Sequence, residues 1–258
     1  MTTYAPEQVA YQEQPQQLAP QPNGYAPPYL PLTTVIHGES GAGKSWLADT
    51  CPAPRLILDA EGGSRWTPSQ PKIVWSPYEN PPAYDGSWQT TVCYVRDFPT
   101  MQRVYQWLNS GQHPWVSCSM DSLTEIQKRC GDAIAGTNQL TQQDWGQLLR
   151  DMESLVRQYR DLTFHPTRPL LSVNFVTLTD NDKGVMRPSV QGRLRTTLPG
   201  FVDVVGYLYT VVNGAGQLER QMLTQPAPGY LAKDRTNRLP MVVNEPNLSR
   251  MMEVINGR

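Results

Sequence analysis

The chain has 258 residues, 39% of them hydrophobic, and a formal net charge of −1 at pH 7. That suffices for one buried core plus a tail, and the near-neutral balance excludes a strongly basic nucleic-acid-binding domain, so any contact with DNA must come from a local patch. Four dispersed cysteines and three histidines argue against a zinc site or a disulfide framework, and the lack of a membrane-length apolar run or an export signal points to a cytoplasmic protein with no membrane partner.

Residues 1–30 hold six prolines, six glutamines and four tyrosines but no Lys or Arg. Such a composition cannot bury enough apolar surface to offset the entropy of ordering. A flexible, disordered N-terminal tail is expected there, with the globular domain spanning 31–258. Leu32 to His37 reads as a buried strand. Directly after it, Gly38-Glu39-Ser40-Gly41-Ala42-Gly43-Lys44-Ser45 completes a G-x-x-x-x-G-K-[ST] phosphate-binding loop. Its glycines let the backbone wrap so that successive N–H groups face phosphate oxygens. Lys44 is then placed to reach the β/γ-phosphates and Ser45 to ligate Mg2+. ATP is the expected nucleotide, since the Asn-Lys-x-Asp base-reading pattern of GTPases is absent from the chain.

A short helix from Lys44 to Asp49 ends at Cys51-Pro52-Ala53-Pro54. Leu56 to Leu58 forms the next buried strand and closes on Asp59-Ala60-Glu61-Gly62-Gly63. Residues 64–91, rich in Pro, Trp and Ser, read as an insertion with a candidate strand at Lys72 to Trp75. Val92 to Val95 is a strand, Pro99 to Leu108 a helix with proline in its first turn, and Trp115 to Met120 a strand leading into Asp121-Ser122 and a helix from about Leu123. Thr141 N-caps the clearest helix, whose Trp145, Leu148, Leu149, Met152, Leu155, Val156 and Tyr159 recur at helical spacing as packing surface. Leu170 to Val176 is a strand, Asp180 to Leu198 a polar loop, Val202 to Val212 and Gln217 to Leu223 a hairpin, and Pro246 to Ile255 a short helix. The alternation predicts an α/β fold, a mainly parallel sheet flanked by helices with a C-terminal hairpin, and ligand at the C-terminal strand ends.

Phosphoryl chemistry needs Mg2+ held by an acid, a group that orients water, and positive charge for the transition state. Asp121, just after its strand, is the candidate metal acid, and it can also cap the following helix. Glu61, beside two glycines, is the preferred water-activating base, with Asp59 and Glu125 as alternatives.

These spacings resemble the RecA-like recombinases, which carry an Asp-Ala-Glu after the strand that follows the phosphate loop and an Asp-Ser at the magnesium strand; here these are Asp59-Ala60-Glu61 and Asp121-Ser122. Leu170 to Thr177 is similar to the family's sensor strand, with Thr177 where RecA itself has glutamine. Lys233-Asp234-Arg235 resembles a Lys-x-Lys pair that reaches a neighbouring subunit's γ-phosphate. More narrowly, Asp144-Trp145-Gly146, Leu198 to Tyr207 and Ala232 to Arg235 are similar to bacteriophage RecA-like ATPases that include the fourth Sak group of single-strand annealing proteins. The resemblance implies a RecA-like P-loop NTPase core in which Glu61 and Lys44 act with Lys233 and Arg235 supplied in trans. It further implies single-stranded DNA held by Lys183, Arg187, Arg193 and Arg195, homo-oligomers in a ring or filament, and a single-strand-binding protein as a further partner. Strand annealing or pairing is the implied activity. A DNA-translocating motor and a nucleotide-gated protein-interaction module remain the alternatives.

Overall fold

The computed structural model describes residues 29–258, so the expected tail lies outside the described residues except for Tyr29 and Leu30. The strands are β1 (Leu32–Gly38), β2 (Arg55–Asp59), β3 (Lys72–Val74), β4 (Thr90–Tyr94), β5 (Ser117–Asp121), β6 (Ser172–Asp182), β7 (Val185–Pro188), β8 (Val204–Val212), β9 (Leu218–Leu223), β10 (Lys233–Asp234) and β11 (Val242–Asn244). The helices are α1 (Lys44–Ala48), α2 (Phe98–Ser110), α3 (Leu123–Ala135), α4 (Gln142–Asp161), α5 (Leu194–Phe201) and α6 (Leu248–Ile255).

The main sheet runs β11-β9-β8-β1-β6-β5-β2-β4-β3, and every neighbouring pair from β8 to β3 is parallel. β9, β10 and β11 add antiparallel pairs at the β8 side. Parallel strands covered on both faces read as continuous buried runs, and β1, β2 and β5 are buried at every residue. One face packs on α2, α3, α4 and α5 through Leu58, Met120, Phe175 and Leu155; the other packs on α1 and α6 through Ile36, Leu47, Met222 and Met252. Ser117 and Ser119 interrupt the apolar run of β5 without leaving orphaned hydroxyls: Ser117 donates to the Pro52 carbonyl, and Ser119 accepts from the Asn174 amide at 3.1 Å. α4 begins in a Thr141–Asp144 capping box. Its buried stripe starts at Leu148, whereas Trp145 in the first turn is 42% exposed beside Leu140 at the outer edge of α3.

Two expectations are corrected. Residues 64–91 are not a mere insertion: β3 extends the sheet parallel to β4, and Trp75 and Trp88 are buried in the core. Nor is Asp180 to Leu198 a loop. β6 continues to Asp182, turns at Lys183-Gly184 with both residues at positive φ, and returns as antiparallel β7 before α5 begins. Asn181 closes that turn by accepting the Gly184 N–H at 2.9 Å.

Candidate active site

The phosphate loop leaves the C-terminal end of β1, flanked by the ends of β6 and β8. Gly41 and Gly43 hold φ of 84° and 93°, a left-handed backbone that glycine adopts without strain. Lys44 Nζ lies inside the loop, donating to the carbonyls of Gly38 at 3.0 Å and Glu39 at 2.7 Å. Burial lowers its pKa, and the charges of Asp121, Glu61 and Glu39 oppose that shift.

Three carboxylates converge beyond β2 and β5, whose register sets Asp59 directly across from Asp121. Asp59 accepts from the N–H groups of Glu61 (3.0 Å), Gly62 (2.6 Å) and Ser64 (3.1 Å) and from the Ser64 hydroxyl (2.5 Å). It therefore builds the turn, and its lone pairs are committed. Glu125 forms ion pairs with Lys128 and Arg129 on α3. Neither alternative base is free for the role, whereas Glu61 is exposed and, among the described residues, its Oε1 is held only by the Ser122 hydroxyl. Ser122 also caps α3 by accepting the Glu125 N–H at 3.2 Å.

Asp121 is buried and faces the Ser45 hydroxyl; burial above all pushes its pKa up to about 6, with Asp59 and Glu61 adding to the rise and Ser45 and Lys44 opposing it. Gly63 passes so close to this pair that an added Cβ would stand 2.9 Å from Ser45 Oγ and 3.7 Å from Asp121 Oδ2. A hydroxyl and a carboxylate are the hard oxygen donors that Mg2+ takes while completing its shell with phosphate oxygens and water. The residues present thus fit the cation, which Ser45 and Asp121 would hold. Thr177 is buried on β6 with no hydrogen-bond partner for its hydroxyl among the described residues, level with His37 on β1. Such an orphan, within β6 but beside the C-terminal end of β1, suits a position that meets a ligand. His37 hydrogen-bonds the Leu231 carbonyl at 2.8 Å and the Thr179 hydroxyl at 3.1 Å, and burial lowers its pKa to about 4.

Other expected site residues lie elsewhere. Lys233 Nζ donates to the carbonyls of Pro199 (2.6 Å) and Val202 (2.7 Å) at the end of α5. Arg235 pairs with Asp203 at 3.0 Å and donates to the Gly200 carbonyl. Both stand at the start of β8, at the opposite end of the sheet from this chain's own phosphate loop. Of the expected DNA contacts, Lys183 and Arg193 are exposed, whereas Arg187 pairs with Asp182 and Arg195 with Asp180 and Asp182. The contacts of Ser122 with Glu61 and of Gly63 with Asp121 escape a reading by sequence spacing, because the β2–β5 register brings them together, whereas the Asp59 turn is local.

No curated protein matches the chain. Residues 30–236, well over half of its length and from the strand before the phosphate loop through Arg235, match the family model described as AAA domain. The mainly parallel sheet, the phosphate loop and that match agree: the chain belongs to the AAA domain family of P-loop ATPases.

Proposed function

We propose that this protein hydrolyses ATP with Mg2+ and uses the nucleotide state to control single-stranded DNA binding and head-to-tail assembly of its own copies, as a recombination ATPase of the bacteriophage RecA-like kind. The observation that carries the hydrolytic part is Glu61, held by Ser122 beside the Ser45–Asp121 pair. In this reading the loop N–H groups and Lys44 bind the β- and γ-phosphates, and Lys44 exchanges its two loop carbonyls for phosphate oxygens. Bound Mg2+ would neutralise phosphate charge as it develops. Glu61 orients a water and takes its proton, Ser122 fixes the carboxylate's direction, and Thr177 donates its free hydroxyl to a phosphate oxygen. Arg235 of one copy supplies transition-state charge to the next, since it lies too far along the sheet to serve its own loop.

DNA would bind along the β6–β7 hairpin, whose strand β6 runs unbroken from Thr177 to the turn at Lys183. The pairing of Arg187 and Arg195 with Asp180 and Asp182 favours a second reading, a nucleotide-gated protein-interaction module in which this hairpin meets a protein rather than DNA. Fluorescence anisotropy of a labelled single-stranded oligonucleotide, with and without Mg-ATP, separates the two. Tighter binding with ATP, lost in Lys44→Ala, is the expected result; no binding in any nucleotide state would leave the protein module.

A further inference from the structure

Arg220, on β9, sends its side chain back across the sheet end to the phosphate loop. It lies so close to Gly43 that a Cβ there would overlap its Nε and stand 2.9 Å from its Cδ. Its guanidinium carbon sits 4.7 Å from the ring centroid of Trp46, a side chain 42% exposed just past Ser45. The backbone beneath it is fastened both ways to Glu245: the Arg220 N–H donates to Glu245 Oε1 at 2.8 Å, and the Glu245 N–H donates to the Arg220 carbonyl at 2.8 Å. Among the described residues no carboxylate forms an ion pair with Arg220. A half-buried cation, stacked on an aromatic face and lacking an acid, is preorganised for an anion that arrives from outside.

We propose that Arg220 is a nucleotide-binding residue: its guanidinium donates to the phosphates of the nucleotide in the loop, and Trp46 is the platform that holds it there. The proposal rests on the reading that the loop binds ATP. The side of approach selects the phosphates. Glu61, Asp121 and Thr177 come from β2, β5 and β6, on one side of β1, whereas Arg220 comes from β9, on the other. Arg220 therefore grips the part of the nucleotide away from the bond that breaks, a part that ATP and ADP share. Its loss should weaken ground state and transition state alike, which raises KM and leaves kcat nearly unchanged.

The experiment is titration calorimetry of ATP and ADP, each with Mg2+, into the full chain as wild type, Lys44→Ala, Arg220→Ala and Arg220→Lys. Arg220→Ala is expected to weaken both nucleotides by about 10- to 100-fold, the range for one charge-assisted phosphate contact. Arg220→Lys should recover part of that, and kcat should stay within about threefold of wild type. In parallel, nucleotide should change the tryptophan emission of wild type by more than that of Trp46→Phe, a readout that survives if Arg220→Ala folds poorly. Unchanged affinities in Arg220→Ala, with tight binding by wild type and none by Lys44→Ala, would overturn the proposal and spare the ATP reading. A wild type that binds no nucleotide would overturn both.

Discussion

Glu61 differs from the other carboxylates of the site in what surrounds it. Asp59 is saturated by backbone and Ser64 donors, and Asp121 is buried against Ser45, but Glu61 keeps one oxygen free of any hydrogen bond from a described residue. Glu61→Gln should therefore cut phosphate release by about 10²- to 10⁴-fold, the usual share of a general base, with nucleotide affinity retained; single-turnover assays beside equilibrium binding check this. Asp59→Asn should instead loosen the turn and harm binding. At Gly63, alanine would press on the Ser45–Asp121 pair, so Gly63→Ala should raise the Mg2+ concentration needed for half-maximal turnover. His37 gives the protein an acid limit. Its folded pKa of about 4 lies below the unfolded value of 6.5, so between these the unfolded chain binds more protons. Its contribution is full above pH 6.5 and is lost as the pH falls towards 4, a loss of about 2 kcal/mol by pH 5. Thermal melts at pH 7 and pH 5 should show a smaller drop for His37→Gln than for wild type; equal drops would refute the assignment.

At the scale of elements, the hairpin β6–β7 shows how an electrostatic surface can hide in a sequence. Lys183, Arg187, Arg193 and Arg195 look like a basic stretch when counted along the chain. Folding turns the segment back on itself and sets Asp180 and Asp182 against Arg187 and Arg195. Removing one of those acids should release positive charge: Asp182→Asn should strengthen single-stranded DNA binding and steepen its dependence on salt. Anisotropy titrations at several salt concentrations test it, and an unchanged slope would argue that the hairpin meets something other than DNA. The same segment marks the limit of what was legible. β1, β2 and the buried part of β6 could be read because parallel strands covered on both faces leave largely apolar runs, β5 despite the interruptions at Ser117 and Ser119, and the phosphate loop because its spacing is its mechanism. β7 could not, since Val185-Met186-Arg187-Pro188 is short, mostly half-buried and broken by Arg187 and Pro188, and its pairing depends on the turn at Lys183-Gly184. β3 could be read as a candidate strand at Lys72 to Trp75, but its place in the sheet beside β4 could not, amid the prolines around it. Arg220 carries no local signal at all, and Ser122 none for its contact with Glu61, because the partners Glu61, Gly43 and Trp46 are distant in sequence and meet them only through strand order.

Across the whole molecule, the proposed head-to-tail assembly would make the two ends of the sheet complementary halves of one catalytic device. The loop end of β1 and β8 is marked by Gly38 beside Leu208, and the other end by Thr34 beside Val204, which β10 joins through Asp234. Those registers are separated by about 13 Å of extended strand, so a cation at Arg235 and the phosphates above Gly38 belong to opposite poles of one copy. Copies stacked head to tail bring such poles together, and only a heterologous contact of that kind does so repeatedly. The two cations are not equal candidates. Lys233 ties down the end of α5, with its pKa lowered by burial first and Arg235 second, whereas the Arg235 side chain is 54% exposed and can exchange Asp203 for a phosphate. The decisive test mixes two inactive proteins, Glu61→Gln and Arg235→Ala. A junction in which the Arg235→Ala copy offers its intact loop and the Glu61→Gln copy its intact arginine is complete, and random mixing in equal amounts makes about a quarter of all head-to-tail junctions of this type. ATPase activity should therefore reappear on mixing, to about that fraction of wild type. If each variant alone is folded and binds ATP but the mixture stays inactive, Arg235 serves only to brace α5 against β8, and the transition-state charge comes from within the chain.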